Sequence, residues 1–160
     1  MEAQGIKRKQ KGTKHMKLAF GSDHAGYDYR QMLMEHAKEL GHEVIDFGTF
    51  TKESCDYPVF GHAVGEAVAS GKADRGILVC GTGFGISLAA NRIKGIRCVN
   101  ASEEYTVKLS RHHNNSNVLS VGARVIGTEK AISLMDTFLT EEFDGGRHQR
   151  RIDLVDTIGE

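Results

Sequence analysis

Gly76-Ile77-Leu78-Val79-Cys80-Gly81-Thr82-Gly83-Phe84-Gly85 is the stretch that decides the fold. A continuous apolar run bounded by glycines is the pattern of a parallel strand covered on both faces. The glycines that follow let the backbone turn tightly and approach a ligand closely. Ile86-Ser87-Leu88-Ala89-Ala90-Asn91 then reads as a helix. The amides that open this helix face any anion or polarised oxygen placed there. Cys80 stands where strand becomes loop, beside that positive end, which favours its thiolate. One short segment therefore offers a base and a row of oxyanion donors.

On either side of it, strands and helices alternate. Lys17–Ser22 is the first strand, followed by Asp23-His24-Ala25-Gly26. A helix runs from Tyr27 to Leu40 and is stopped by Gly41, as a glycine past the last turn does. Glu43–Phe47 is the second strand, and Tyr57-Pro58 leads into a helix ended by Gly71. Beyond the central stretch, Gly95–Val99 is strand four and Asn117–Val121 is strand five. Between them lies a helix over Glu103–His113, with Ser102 as its expected N-cap. Thr128–Leu139 is a further amphipathic helix. After Gly145-Gly146 a last helix carries Ile152, Val155 and Ile158 on one face.

This alternation predicts an α/β fold, a single-domain Rossmann-like three-layer sandwich over residues 16–160. The expected sheet is five-stranded and parallel, ordered 2-1-3-4-5. Ligands bind such sheets outside the carboxyl ends of the strands, where strand order reverses. Here that point lies between strands one and three, where Asp23-His24 and Cys80–Gly85 would meet.

Composition narrows the function. Lys plus Arg equals Asp plus Glu at 21 each, so global charge argues for neither nucleic acid nor membrane. Glycine, 19 of 160 residues, stands well above the usual ~7% and suits many short connections. Three cysteines, Cys55, Cys80 and Cys98, form no paired framework and suit a reducing, cytoplasmic compartment. Apolar runs stay well short of the roughly 20 residues of a membrane span. Residues 1–15 hold Lys7, Arg8, Lys9, Lys11 and Lys14 against Glu2, and read as a disordered basic arm or an appended remnant.

Individually, the chemical signals are weak. Gly81-x-Gly83-x-Gly85 misses the dinucleotide spacing, and no Gly-Lys-Ser/Thr follows for a P-loop. Cys80 by residue type alone is better read as a core thiol, and Asp23-His24 on their own as a helix-capping pair. No histidine set with a third ligand stands out for a metal. Arg147 and Arg151, four apart on the last helix, share a face, and Arg124 follows strand five. Such guanidinium groups suit a phosphate dianion, although a solvated basic face is the plainer alternative.

Five ordered segments resemble type B ribose-5-phosphate isomerase, the family that includes the galactose-6-phosphate isomerase subunits. They are Gly21–Gly26, Asp56–Pro58, Cys80–Asn91, Ser110–Asn117 and Gly145–Arg151. The resemblance implies a metal-free, cofactor-free aldose–ketose isomerase of the non-oxidative pentose phosphate pathway. It also implies a homodimer, sometimes a tetramer, with sites shared between subunits; the glycines at 145 and 146 let the last helix swing away from the body onto a partner subunit. By position, Cys80 would carry the proton between C1 and C2, and His113, with Asp23 beside it, would open the sugar ring. Gly81, Gly83, Phe84 and Gly85 would hold the enediolate, helped by Thr82. Asn114 would bind sugar oxygens and Tyr57 would line the pocket. His24, Arg124, Arg147 and Arg151 would surround the phosphate. Some relatives place a Glu in the Gly-rich loop as base; here Phe84 occupies it and the cysteine variant fits. Two alternatives stay open: an isomerase of a six-carbon aldose 6-phosphate such as allose or galactose, or a non-catalytic sugar-phosphate-binding module.

Overall fold

A computed structural model describes residues 14–160. Most of the basic arm, residues 1–13, lies outside this range. His15 Nδ1 meets the Gly41 carbonyl at 2.6 Å.

The chain alternates as expected: β1 (Lys17–Ser22), α1 (Tyr27–Glu39), β2 (Glu43–Asp46), α2 (Tyr57–Ala69), β3 (Arg75–Cys80) and α3 (Phe84–Asn91). It continues with β4 (Cys98–Asn100), α4 (Glu104–Asn114), β5 (Val118–Gly122), α5 (Thr128–Thr140) and α6 (Arg147–Thr157). All five strands are parallel.

Their order is β2-β1-β3-β5-β4, which corrects the expected 2-1-3-4-5 by exchanging the last two strands. The reason is burial. All five residues of β5 are buried, whereas β4 has three residues, of which only Cys98 is. A strand between two neighbours must be apolar on both faces, so β5 takes the inner place and β4, ending in Asn100, the edge. Two more boundaries move. Gly95–Arg97 is a connection rather than strand. Glu103, not Ser102, caps α4, its carboxylate accepting the Thr106 amide at 3.0 Å.

Right-handed crossovers then dictate the layers. The chain moves one way across the sheet through α2 and α3, which pack on one face, and the other way through α1 and α4, which pack opposite. One apolar layer joins Phe20, Leu33, Ile77, Val107, Leu134 and Phe138 beneath α1, α4 and α5. The other joins Val64, Leu78, Cys80, Ile86 and Val118 beneath α2 and α3. Each large side chain fully buried in these layers contributes about 1.5–3 kcal/mol.

α6 buries only His148 and Ile152 against its own chain. Arg97 Nη1, donating to both carboxylate oxygens of Asp156, ties it down. Of Ile152, Val155 and Ile158, expected on one face, only Ile152 is buried against its own chain; the other two are exposed, Ile158 by 82%. No helix among the described residues is long and apolar enough to cross a membrane.

Candidate active site

The carboxyl edge of the sheet gathers the first group of residues. β1 ends at Ser22 and β3 at Cys80, and the Asp23 amide donates to the Val79 carbonyl at 3.3 Å. The ends of β1 and β3 thus bring Asp23 and the Cys80 loop side by side, as expected. The Asp23 side chain is buried, and its Oδ1 accepts the Gly26 amide at 3.1 Å. This closes a turn ahead of α1 instead of capping it directly, since the N-cap is Gly26.

The sulfur of Cys80 accepts the Gly83 amide at 3.1 Å. It is more enclosed than its position at the strand end implied: Cys80 is 4% exposed and belongs to the apolar layer under α2 and α3. The amide contact fixes the sulfur toward the loop, and the contact is charge-assisted when the sulfur is ionised. Gly83 has φ +83° and is the N-cap of α3. A Cβ there would lie 2.6 Å from Asn100 Oδ1 and 2.9 Å from the backbone of Val121, so only glycine fits.

The amides that open α3 divide their tasks. An α-helix leaves its first four N–H groups without intrahelical partners. That of Gly83 goes to the sulfur and that of Phe84 to Thr82 Oγ1 at 3.2 Å. Gly85 and Ile86 follow in the first turn. Tyr57, at the start of α2, lies against Gly85; a Cβ there would sit 2.6 Å from its ring. Arg124, just past β5, lays its guanidinium over Gly81, 3.1 Å from where a Cβ would be. Thr82, Phe84 and Arg124 are exposed, Phe84 by 65%. His24 Nδ1 accepts the Cys55 amide at 3.2 Å, with the Cys55 sulfur 3.8 Å away.

Sequence reading missed three supporting groups, two of which carried no warning. Ser120, buried in β5, donates its hydroxyl to the Gly83 carbonyl at 2.6 Å. Asn100, at the end of β4, donates to the Thr82 carbonyl at 3.4 Å. Both reach the loop only because β5 and β4 follow β3 in the sheet, a neighbourhood that periodicity does not reveal. The third is His148, whose ring stacks on His113 with centroids 4.5 Å apart. Its helical spacing from Ile152 was the available signal, since both fall on the buried stripe of α6.

The remaining predicted residues assemble at the opposite edge. His113 and Asn114 close α4, which runs back down to the start of β5. α6, with Arg147 and Arg151 exposed, begins beside them after α5. Side-chain contacts agree with this placement: Arg97 Nε donates to the Asn114 carbonyl at 2.9 Å, and Arg75, opening β3, donates to the Phe138 carbonyl near the end of α5. A six-residue strand separates the two edges by roughly 16–20 Å. Within one chain, therefore, His113 does not lie beside Asp23, and Asn114, Arg147 and Arg151 do not reach the Cys80 loop. The cause is the winding itself: a helix between parallel strands returns its end to the amino edge.

Arg111 at that edge is structural. Arg111 is buried, and desolvation, reinforced by Arg75 and Arg97, lowers its pKa to about 10. Burial pushes the Cys98 thiol up, out of any reactive range. Cavities of about 610 and 590 Å³ lie elsewhere. The larger runs between the end of α3, the start of β4 and α6, and of the predicted site residues only Asn114 lines it. Its Lys94–Glu160 and Arg97–Asp156 pairs satisfy most of its charge.

Residues 18–155 match the family model described as Ribose/Galactose Isomerase. The chain belongs to this family. Ribose-5-phosphate isomerase B of Escherichia coli is 49% identical over 142 residues, covering 89% of this chain and 95% of that protein. The solved ribose-5-phosphate isomerase B of Clostridium thermocellum matches with a TM-score of 0.89 at 49% identity, over 90% of this chain and 97% of that one. A Mycoplasma genitalium ribose-5-phosphate isomerase B, solved with bound ribulose-5-phosphate, matches with a TM-score of 0.86 over 89% of this chain and 95% of that one.

Proposed function

We propose that the chain interconverts ribose 5-phosphate and ribulose 5-phosphate through an enediolate, with Cys80 as the base. The observation that carries this is the sulfur fixed by the Gly83 amide at the head of a glycine loop, in a chain 49% identical to a named ribose-5-phosphate isomerase B. A relative solved with ribulose-5-phosphate supports a sugar phosphate as ligand.

The chemistry follows from the atoms. Cys80 Sγ removes the proton from C2 of the open aldose and returns it to C1, while the hydroxyl proton passes from O2 to O1. The intermediate carries its charge on those two oxygens, so donors placed where the charge develops lower the barrier. Gly81, Gly85 and the first-turn amides of α3 supply them, with Thr82 and Phe84 shaping the shelf. Because the Gly83 amide already serves the sulfur, it steadies the base rather than the oxyanion.

The rest of the machinery comes from a second copy. His113 opens the furanose opposite Asp23, and Asn114 holds sugar oxygens. Arg147 and Arg151 join Arg124 and His24 around the phosphate, whose binding positions C1 and C2. Two edges that cannot meet within one chain meet across a symmetric dimer interface. Exposed Leu154 and Val155 on α6, Ile158 just past it, and Phe84 and Leu88 on α3 offer the apolar surface for it. A homodimer, or a pair of dimers as a tetramer, satisfies this geometry. Three free thiols suit the reducing cytoplasm. No residue set here requires a cofactor for proton transfer.

Solvent deuterium exchange at C1 and C2 of ribose 5-phosphate tests the assignment. Exchange that vanishes in Cys80→Ala, with sugar phosphate still bound, is the expected result. Near-normal turnover by that variant would refute the thiol's role. The family description also covers galactose phosphates, so the same assay on allose and galactose 6-phosphates ranks the six-carbon alternative. A binding module would exchange none of them.

A further inference from the structure

We propose that His113, Asp144 and His148 form a site for a zinc-class divalent cation, and that filling it withdraws His113 from isomerisation; the second half rests on the role given to His113 above. The ligating atoms of the three residues lie within 4.8 Å of one another. The two rings stack with planes 14° apart. Tetrahedral zinc holds imidazole nitrogens at about 2.0–2.1 Å, hence about 3.3 Å apart, so binding requires the two rings to turn out of their stack and aim both nitrogens at one point.

The surroundings are those of a supported site. His113 comes from α4, Asp144 from the connection after α5, and His148 from α6. The Asp144 amide donates to the His112 carbonyl at 3.1 Å and the His148 amide to Gly145 at 3.2 Å, so the backbones are held. Behind Asp144, its Oδ1 meets His112 Nδ1 at 3.3 Å, and His112 Nε2 meets Glu141 at 2.6 Å. A carboxylate–histidine chain of this kind orients a ligating carboxylate. Among the described residues, neither ring of the stacked pair has a hydrogen-bond partner.

Arg147 and Arg151 stand close and oppose a dication. Their effect selects the metal. Mg²⁺ and Ca²⁺ bind through charge and oxygen ligands and are rejected, whereas Zn²⁺, Ni²⁺ and Cu²⁺ gain their affinity from imidazole donors.

The test is calorimetric titration of the untagged full chain with Zn²⁺, repeated with Co²⁺ to read its visible absorption. One cation per chain is expected, unaffected by excess Mg²⁺, with affinity reduced at least tenfold in His148→Gln. Asp144→Asn, at an exposed position that leaves the core intact, should weaken it similarly. Isomerase activity should fall with the same midpoint and return on adding a chelator. No binding, binding unchanged in both variants, or binding lost in Cys80→Ser overturns the site. Binding here with full turnover overturns the inhibitory half and the role of His113, while leaving the role of Cys80 standing. Binding to a chain that lacks isomerase activity supports the site and overturns only the enzymatic assignment.

Discussion

The two edges of the sheet are built on different principles. The carboxyl edge is made by strand ends: Ser22–Asp23, Cys80 and Gly122 emerge side by side because β1, β3 and β5 are hydrogen-bonded neighbours. Its chemistry rests on backbone, the Gly83 amide on the sulfur and the Ser120 hydroxyl on the Gly83 carbonyl. The amino edge is made by helix ends, and its chemistry rests on side chains: stacked His113 and His148, exposed Arg147 and Arg151. A backbone site is pre-organised and tolerates little change. A side-chain site at helix ends can be presented to another molecule.

The division of labour breaks most dramatically on mixing two dead variants. Cys80→Ala and His113→Ala chains are each expected to lose at least about a thousandfold in activity. Refolded together, they should recover about a quarter of wild-type activity, because half the dimers are mixed and each restores one of two shared sites. No recovery on mixing, with dimers demonstrably exchanged, would place both residues in one chain's site.

Gly83→Ala probes the backbone edge. The positive φ and the 2.6 Å approach to Asn100 should cost about 1–3 kcal/mol and lower kcat by at least about tenfold. A thermal melt and steady-state kinetics read both. At the other edge, Arg147→Ala should raise KM by about tenfold with a smaller change in kcat, since a remote clamp contributes mainly uniform binding. An unaltered KM would leave Arg147 on a solvated face.

Ser120→Ala removes one of two donors to the Gly83 carbonyl, which keeps the Ser87 amide at 3.3 Å, and should cost about 0.5–1.5 kcal/mol of stability. It should lower kcat several-fold without changing KM. The smallest effect concerns pH. His42 is buried at the amino edge, accepting the Met16 amide at Nδ1. Desolvation, then His15 and Arg75, hold its pKa below the ordinary value. Its contribution is therefore present above the unfolded pKa of about 6.5 and is lost as pH falls from there toward the lower folded value. Denaturant melts between pH 7 and 5 should show a shallower loss in His42→Gln than in wild type.

Much of the fold was legible because apolar periodicity reports burial directly. The β1, β3 and α1 boundaries needed nothing beyond Leu18–Phe20, Ile77–Val79 and Gly41. Strand order was not legible at its far end. Whether β5 or β4 lies inside depends on which strand hides both faces, a comparison between distant segments. Ser120 and Asn100 were invisible for the same reason, and Glu103 was overlooked as a cap because a carboxylate there reads as ordinary first-turn charge.

The sequence by itself determined the local chemistry: a thiol before a glycine turn, amides at a helix start, and arginines spaced four apart. These depend on neighbours along the chain, where geometry is dictated by bond angles and hydrogen-bond spacing. Only the tertiary structure decided where those pieces stand. Parallel strands joined by helices send strand ends to one edge and helix ends to the other. That is why the sulfur and the paired histidines face opposite directions in each chain.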